Sequence, residues 1–337
     1  MDQSIRNRYS EAILAEARRR FAIAPGDIKE LGGFESYIYR FTRDGRPFVL
    51  RITHTLRRSP ELIHGEVDWL NYLAAGGASV AGAAVSARGE LVEEIADGAG
   101  GHFLATAFHF APGVRPGEAG WTAARRENYG RLIGRMHALT KAYEPPDPTW
   151  RRHAWPADTV ASVRQQLQGV DDVALARYLE LARRLERLPR GVDDYGLIHF
   201  DAHEGNFFID GDTITLFDFD DSGYNWLAND IAMVIFYQAT NRDDAVAHLA
   251  GFLPDFLRGY AAENRLEPAW TGLIHDFLTM REIELYAVIP GAFDVSPDDA
   301  GHIDVAAIPY EWPRRFMTGR RERIAAGRRF VDLEFEW

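Results

Sequence analysis

One stretch constrains this 337-residue chain more than any other. Residues 198–221 read Ile-His-Phe-Asp-Ala-His-Glu-Gly-Asn-Phe-Phe-Ile-Asp-Gly-Asp-Thr-Ile-Thr-Leu-Phe-Asp-Phe-Asp-Asp. Two short apolar runs, 206–209 and 213–217, flank the turn Asp210-Gly211-Asp212 and predict a hairpin. Asp201 lies five residues ahead of Asn206, and Asp218 follows the returning strand. Phosphoryl transfer explains these residue types at this spacing. The reaction needs a carboxylate that orients a hydroxyl and accepts its proton, and oxygen ligands that hold magnesium against phosphates. A loop presents Asp201, Asn206 turns its amide oxygen to the metal, and the hairpin returns Asp218 to the same ion.

Elsewhere the hydrophobic period changes along the chain. Ile5, Ile13, Leu14, Ala17 and Phe21 predict an amphipathic helix over 4–20, broken at Ala24-Pro25-Gly26-Asp27. Residues 37–41 and 48–52 read as strands joined at Asp44-Gly45. Ser59 and Pro60 open a helix that runs to about Ala75, with Ser59 as its N-cap. Strand-like segments follow at 89–95 and 102–109, and Ala111-Pro112-Gly113 marks a break. The remainder reads mainly as helix, at about 122–141, 158–169, 173–188, 229–239, 245–263 and 268–288.

Composition narrows the classes of function. Lys and Arg total 38 against 50 Asp and Glu, a formal charge of −12, so the basic face of a nucleic-acid binder is not expected. There is no cysteine, which excludes disulfides, thiolate metal sites and thiol nucleophiles. Residues 5–20 mix charged and apolar residues, unlike a signal peptide, and no apolar run is long enough for a membrane span. A cytoplasmic enzyme without nucleic-acid or membrane partners is the expectation; oligomeric state is not legible.

The 198–221 stretch resembles the catalytic and metal-binding segments of the aminoglycoside phosphotransferase and choline kinase families, written His-Gly-Asp-x-His-x-x-Asn and Ile-Asp-Phe/Trp-Asp/Glu. The resemblance implies that Asp201 is the catalytic aspartate, that Asn206 and Asp218 bind magnesium, and that His199 and His203 brace the loop. Asp220 stands as a contact to metal or substrate, or as a shaper of the turn with Asp221. Phe200 replaces the common Gly, and Phe217 the common Ile or Val.

Leu31-Gly32-Gly33-Phe34-Glu35-Ser36 resembles the family's phosphate-covering loop, with Gly33 allowing close backbone approach and Ser36 offering a hydroxyl. Arg51 stands where the family carries a phosphate-binding Lys, and Glu66, fifteen residues on, matches the helix glutamate that pairs with it. The competing reading makes each an exposed charge. Thr106-Ala107-Phe108-His109 resembles the hinge whose backbone binds the nucleotide base. His137 reads as a packing residue. Asp230 matches the family residue that anchors the catalytic loop, and an N-cap role opening the helix Ile231 to Gln238 reads equally well and is compatible with it. The charges of the helix around Met280–Tyr286, and the arginines between Arg314 and Arg329, read as solvated faces.

The resemblance covers about residues 28–240. It implies an α+β, protein-kinase-like two-lobed fold, with a sheet-rich N-lobe over 1–110 and a mainly helical C-lobe over 111–337. It implies ATP (or GTP) as donor, magnesium as cofactor, and a small polar hydroxyl acceptor. The alternatives are a Ser/Thr protein kinase, a nucleotide-binding protein without turnover, and a zinc hydrolase built on His199, Asp201 and His203.

Overall fold

The computed structural model describes residues 2–33, 35–298 and 303–335; Phe34 of the glycine-containing loop lies outside them. The chain divides into two compact units. The first gathers residues 1–120, 142–152 and 205–222, and the second residues 121–141, 153–204 and 223–337.

The first unit begins with two helices, α1 (Gln3–Arg6) and α2 (Glu11–Arg20), where the sequence predicts one. The interruption lets Tyr9 leave the helical path. Its ring stacks on Tyr37 at 3.6 Å between centroids, and its hydroxyl bonds that of Tyr39 at 2.8 Å. The expected apolar stripe is kept, with Ile5, Ile13, Ala17 and Phe21 in the core.

An antiparallel sheet carries the unit. Its strands are β1 (Ile28–Glu30), β2 (Tyr37–Arg43), β3 (Arg46–His54), β4 (Ala83–Ala84), β5 (Val92–Ala96) and β6 (His102–His109). The order is β1-β2-β3-β6-β4, with β5 also paired to β6. Asp44 and Gly45 join β2 to β3 with φ of 52° and 73°, the left-handed pair that a two-residue hairpin requires. Helix α3 (Pro60–Ala75) starts as expected: the Ser59 hydroxyl accepts the Leu62 N–H, a cap worth about 1 kcal/mol. It buries Ile63, Glu66, Val67, Trp69, Leu70 and Leu73. The short α4 (Pro116–Ala119) ends the first segment.

The strands Phe207–Asp210 and Thr213–Leu216 form the hairpin expected from the sequence, with Phe207 opposite Leu216. That register places Asn206 across from Phe217, whose N–H donates to the Asn206 carbonyl at 2.8 Å.

The second unit is helical: α5 (Ala123–Thr140), α6 (Ala157–Leu167), α7 (Asp172–Leu185), α8 (Leu227–Ala239), α9 (Ala245–Glu263), α10 (Ile274–Ala292), α11 (Glu311–Met317) and α12 (Arg320–Ala325). Residues 268–273, expected to begin a long helix, form a 3-10 turn before α10. A strand pair not foreseen from the sequence, Tyr195–Ile198 with Gly223–Trp226, delivers the chain to His199. No helix among the described residues is long and apolar enough to cross a membrane.

Candidate active site

Each unit holds one cluster of the expected residues. In the first, Arg51 sits on β3, flanked in register by Ile38 of β2 and Thr106 of β6. Its guanidinium meets Glu66 of α3 through two parallel hydrogen bonds, Nη1 to Oε1 at 2.8 Å and Nη2 to Oε2 at 2.7 Å. Both residues are buried, so the reading of each as an exposed charge is excluded. Burial works against the charge on Arg51, and the carboxylates of Glu66 and Asp220 outweigh it and hold its pKa above the ordinary value. The guanidinium carbon lies 5.0 Å from the centroid of the Phe108 ring. The Arg51 Nε, also buried, has no hydrogen-bond partner among the described residues.

The open end of the hairpin faces the same region. Arg51, Glu66, Phe108, Asn206, Phe217 and Asp218 share the lining of a cavity of about 310 Å³. Gly33, Ser36, Ala107 and Asp220 are outside that lining. Gly33 is held by close approach: a Cβ there would fall 2.0 Å from the carbonyl oxygen of the buried Ser36. Ala107 is locked within the sheet between Leu50 and Ala84.

Asp218 takes φ of 65°, a left-handed conformation costly for a non-glycine residue. Burial pushes its carboxyl up to about 6, with Arg51 opposing and Asp220, Glu66 and Asp221 reinforcing the rise. Asp220 shows the reverse. Burial disfavours its charge, but Arg51, Arg57, Arg58 and Arg152 hold the carboxyl well below the usual range. Arg57 pairs with its Oδ2, and Arg58 lies 3.6 Å from the same oxygen. Asp221 pairs with Arg58 at 2.7 Å.

Among the described residues, no group of three or more His, Cys, Asp or Glu side chains is placed to hold a metal ion. The candidate set is an amide with two carboxylates, Asn206, Asp218 and Asp220. Its chemistry fits a hard cation. Asp220 Oδ1 is buried without a hydrogen-bond partner among the described residues, and a nearby positive charge would relieve the strained ionisation of Asp218.

The second cluster surrounds Asp201. Arg281 Nη2 on α10 donates to Asp201 Oδ1 at 2.6 Å, and the Tyr237 hydroxyl on α8 donates to the same oxygen at 3.2 Å. His203 Nε2 lies 3.2 Å from Oδ2, with its ring against Tyr237 at 4.4 Å. The Asp201 N–H donates to His199 Nδ1 at 3.2 Å. His199 and His203 thus each meet Asp201, one at its backbone N–H and the other at Oδ2. Burial raises the Asp201 pKa; the Arg281 charge, the His203 hydrogen bond and the charges of His203 and His199 overcome that and hold it below the usual carboxylate range.

Asp230 ties the loop down. Its oxygens accept the His199 N–H at 2.9 Å and the Phe200 N–H at 2.8 Å, and His137 Nε2 lies 3.3 Å away. The helix-capping reading is corrected, because α8 begins at Leu227 and Asp230 sits inside its first turn. Seven residues separate Asp230 from Tyr237, so both face the loop from one side of α8. Phe200 has φ of 72°, which explains why glycine is common there and what its replacement costs.

Arg281 and Tyr237 carry no signal in the sequence. The α10 charges expected to be solvated are in fact engaged. Arg281 holds Asp201, Glu282 accepts from Arg320 at 2.6 Å and Arg323 at 2.9 Å, and the Tyr178 hydroxyl donates to Glu284 at 3.0 Å. Part of the arginine-rich C-terminus thus neutralises a buried glutamate instead of forming a solvated face.

The family model described as "Phosphotransferase enzyme family" matches residues 27–272. An amicoumacin kinase of Bacillus subtilis (strain 168) is 38% identical over 292 residues, covering 86% of this chain and 87% of the relative. A solved amicoumacin kinase in complex with AMP-PNP, Ca2+ and Ami is 33% identical, with a TM-score of 0.89 over 99% of this chain and 98% of that one. A microcompartment-associated aminopropanol kinase, 22% identical, shares the fold with a TM-score of 0.73 over 96% of this chain and 100% of that one. The protein-kinase-like fold implied by the resemblance over about residues 28–240 is the fold found, and the chain belongs to the phosphotransferase enzyme family.

Proposed function

We propose that this phosphotransferase moves the γ-phosphoryl group of ATP or GTP to a hydroxyl of a small polar molecule, with amicoumacin as the first acceptor to test. The observation that carries this reading is the shared cavity: Arg51, with Glu66 behind it, lines the same space as Asn206 and Asp218 at the open end of the hairpin. That is the set of groups a nucleoside triphosphate and its cation require. The choice of amicoumacin rests on the two similar kinases named above. Their shared activity on a small molecule favours this class over a protein substrate.

In this reading Asp201 receives the acceptor hydroxyl and orients its oxygen for attack. Arg51 steadies the phosphates, and its Nε, which has no partner among the described residues, is a donor still to be used. Gly32, which lines the cavity beside Gly33, brings this segment to the phosphates, where Gly33 and Ser36 would support it from outside the lining. Phe108, which lines the cavity next to the sheet-bound Ala107, meets the base. Magnesium, held by Asn206 and Asp218 with Asp220 at its edge, would offset charge on the phosphate oxygens when bound. Positioning and electrostatics supply most of the catalysis. The test is nucleotide consumption with magnesium over a panel of amicoumacin, aminoglycosides, choline, homoserine and a protein substrate. Turnover of the protein substrate alone, or of none, would reject the small-molecule reading.

A further inference from the structure

The ion pair at Asp201 points to a role for a residue outside the recognised motifs. Both Asp201 oxygens are engaged: Oδ1 by Arg281 at 2.6 Å and Tyr237 at 3.2 Å, Oδ2 by His203 at 3.2 Å. The carboxylate is thus held at both ends against rotation. Yet 21% of the Asp201 side chain stays accessible, so a hydroxyl can still reach it. Arg281 is itself fixed. Its Nη2 also contacts the Tyr237 hydroxyl at 2.5 Å, its guanidinium carbon lies 5.5 Å from that ring's centroid, and Glu284 lies 3.9 Å from Nη1.

We propose that Arg281 is a positioning residue that, with Tyr237, holds Asp201 ionised and in one orientation toward the acceptor hydroxyl. The proposal rests on the reading of Asp201 as the group that meets that hydroxyl. A planar fork on a packed helix suits this task, since it sets the direction of the carboxylate as well as its charge. A lysine would keep the charge and lose the direction.

Among the described residues, the titratable and charged groups facing Asp201 include His199 and His203 from its own loop, Tyr237 from α8, Arg281 from α10, and Tyr129 from α5. With Arg281 present, Asp201 stays ionised across the working pH range and contributes no acid limb to the rate. Without it, the burial that raises the carboxyl pKa loses its main opponent. The midpoint should then rise by roughly one to three pH units, the usual effect of a close opposite charge.

Two measurements on the full chain test this. The first is the pH profile of kcat for amicoumacin phosphorylation in wild type, Arg281→Met and Arg281→Lys. Arg281→Met should lose roughly 100-fold in kcat across the whole profile, the scale of a misplaced reacting group, with KM for nucleotide unchanged. Arg281→Lys should keep the flat profile at reduced kcat. The second is the carbon-13 shift of the Asp201 carboxyl against pH, assigned by its loss in Asp201→Asn, which requires no acceptor. If wild type does not phosphorylate amicoumacin, the acceptor reading fails and the carboxyl titration still decides the positioning role. An unchanged midpoint in Arg281→Met overturns the proposal. Should that variant not fold, full kcat in Arg281→Lys overturns it equally, because the fork would then be unnecessary.

Discussion

Arg51 of β3 and Glu66 of α3 meet through two parallel hydrogen bonds at 2.8 and 2.7 Å, fifteen residues apart in sequence and both buried. The pair spends Nη1 and Nη2 on the carboxylate and leaves Nε buried without a hydrogen-bond partner among the described residues. The fork of Arg51 thus faces the glutamate with both terminal nitrogens.

Breaking this pair should affect both stability and nucleotide use. Glu66→Ala leaves a buried guanidinium without its main counter-charge, which costs about 3–5 kcal/mol when one partner of a buried pair is removed. Urea denaturation at neutral pH reads that loss. Arg51→Ala should raise the nucleotide KM and lower kcat, while Arg51→Lys retains part of the activity. Wild-type kinetics in Arg51→Ala would remove Arg51 from the nucleotide site.

The hairpin places Asn206 and Asp218 at one end of one cavity. Asp218→Ala should therefore weaken magnesium-nucleotide binding far more than metal-free nucleotide binding. Calorimetric titration of both forms against both proteins separates a metal ligand from a general electrostatic contributor. Equal losses for the two forms would sink the metal assignment.

Asp201 lies in the other unit, paired with Arg281 and Tyr237. Asp201→Asn keeps the size of the side chain and removes the charge that a hydroxyl would meet. Turnover should fall by roughly 100-fold or more, with nucleotide affinity nearly unchanged. Near-normal turnover would falsify its assignment to the acceptor.

Phe200 adopts φ of 72° directly before Asp201. Both Phe200→Ala and Phe200→Gly remove the ring, but only glycine escapes the steric cost of the left-handed region. Phe200→Gly should therefore be the more stable of the two by about 1 kcal/mol. Thermal or urea unfolding of the two variants checks this, and equal stability would mean that the backbone strain is relieved in another way.

What the sequence determined by itself was local. The hairpin around Asp210-Gly211-Asp212, the turn at Asp44-Gly45 and the start of α3 at Ser59-Pro60 follow from backbone preferences and side-chain period within a few residues. Arg51 and Glu66 were legible as a pair because the family spacing carries them. Tertiary structure alone decided the rest. Arg281 is 80 residues from Asp201, and no periodicity marks one charge on a mainly apolar helix as the partner of a distant loop. Tyr9 breaks its helix for a strand 28 residues on, and Glu282 draws in arginines about 40 residues away. The strand pair that delivers the chain to His199 joins segments separated by 24 residues. The physical reason is common to these cases: a buried charge or ring takes whichever partner the packing brings within reach, and packing is set by the whole chain rather than by its neighbours in sequence.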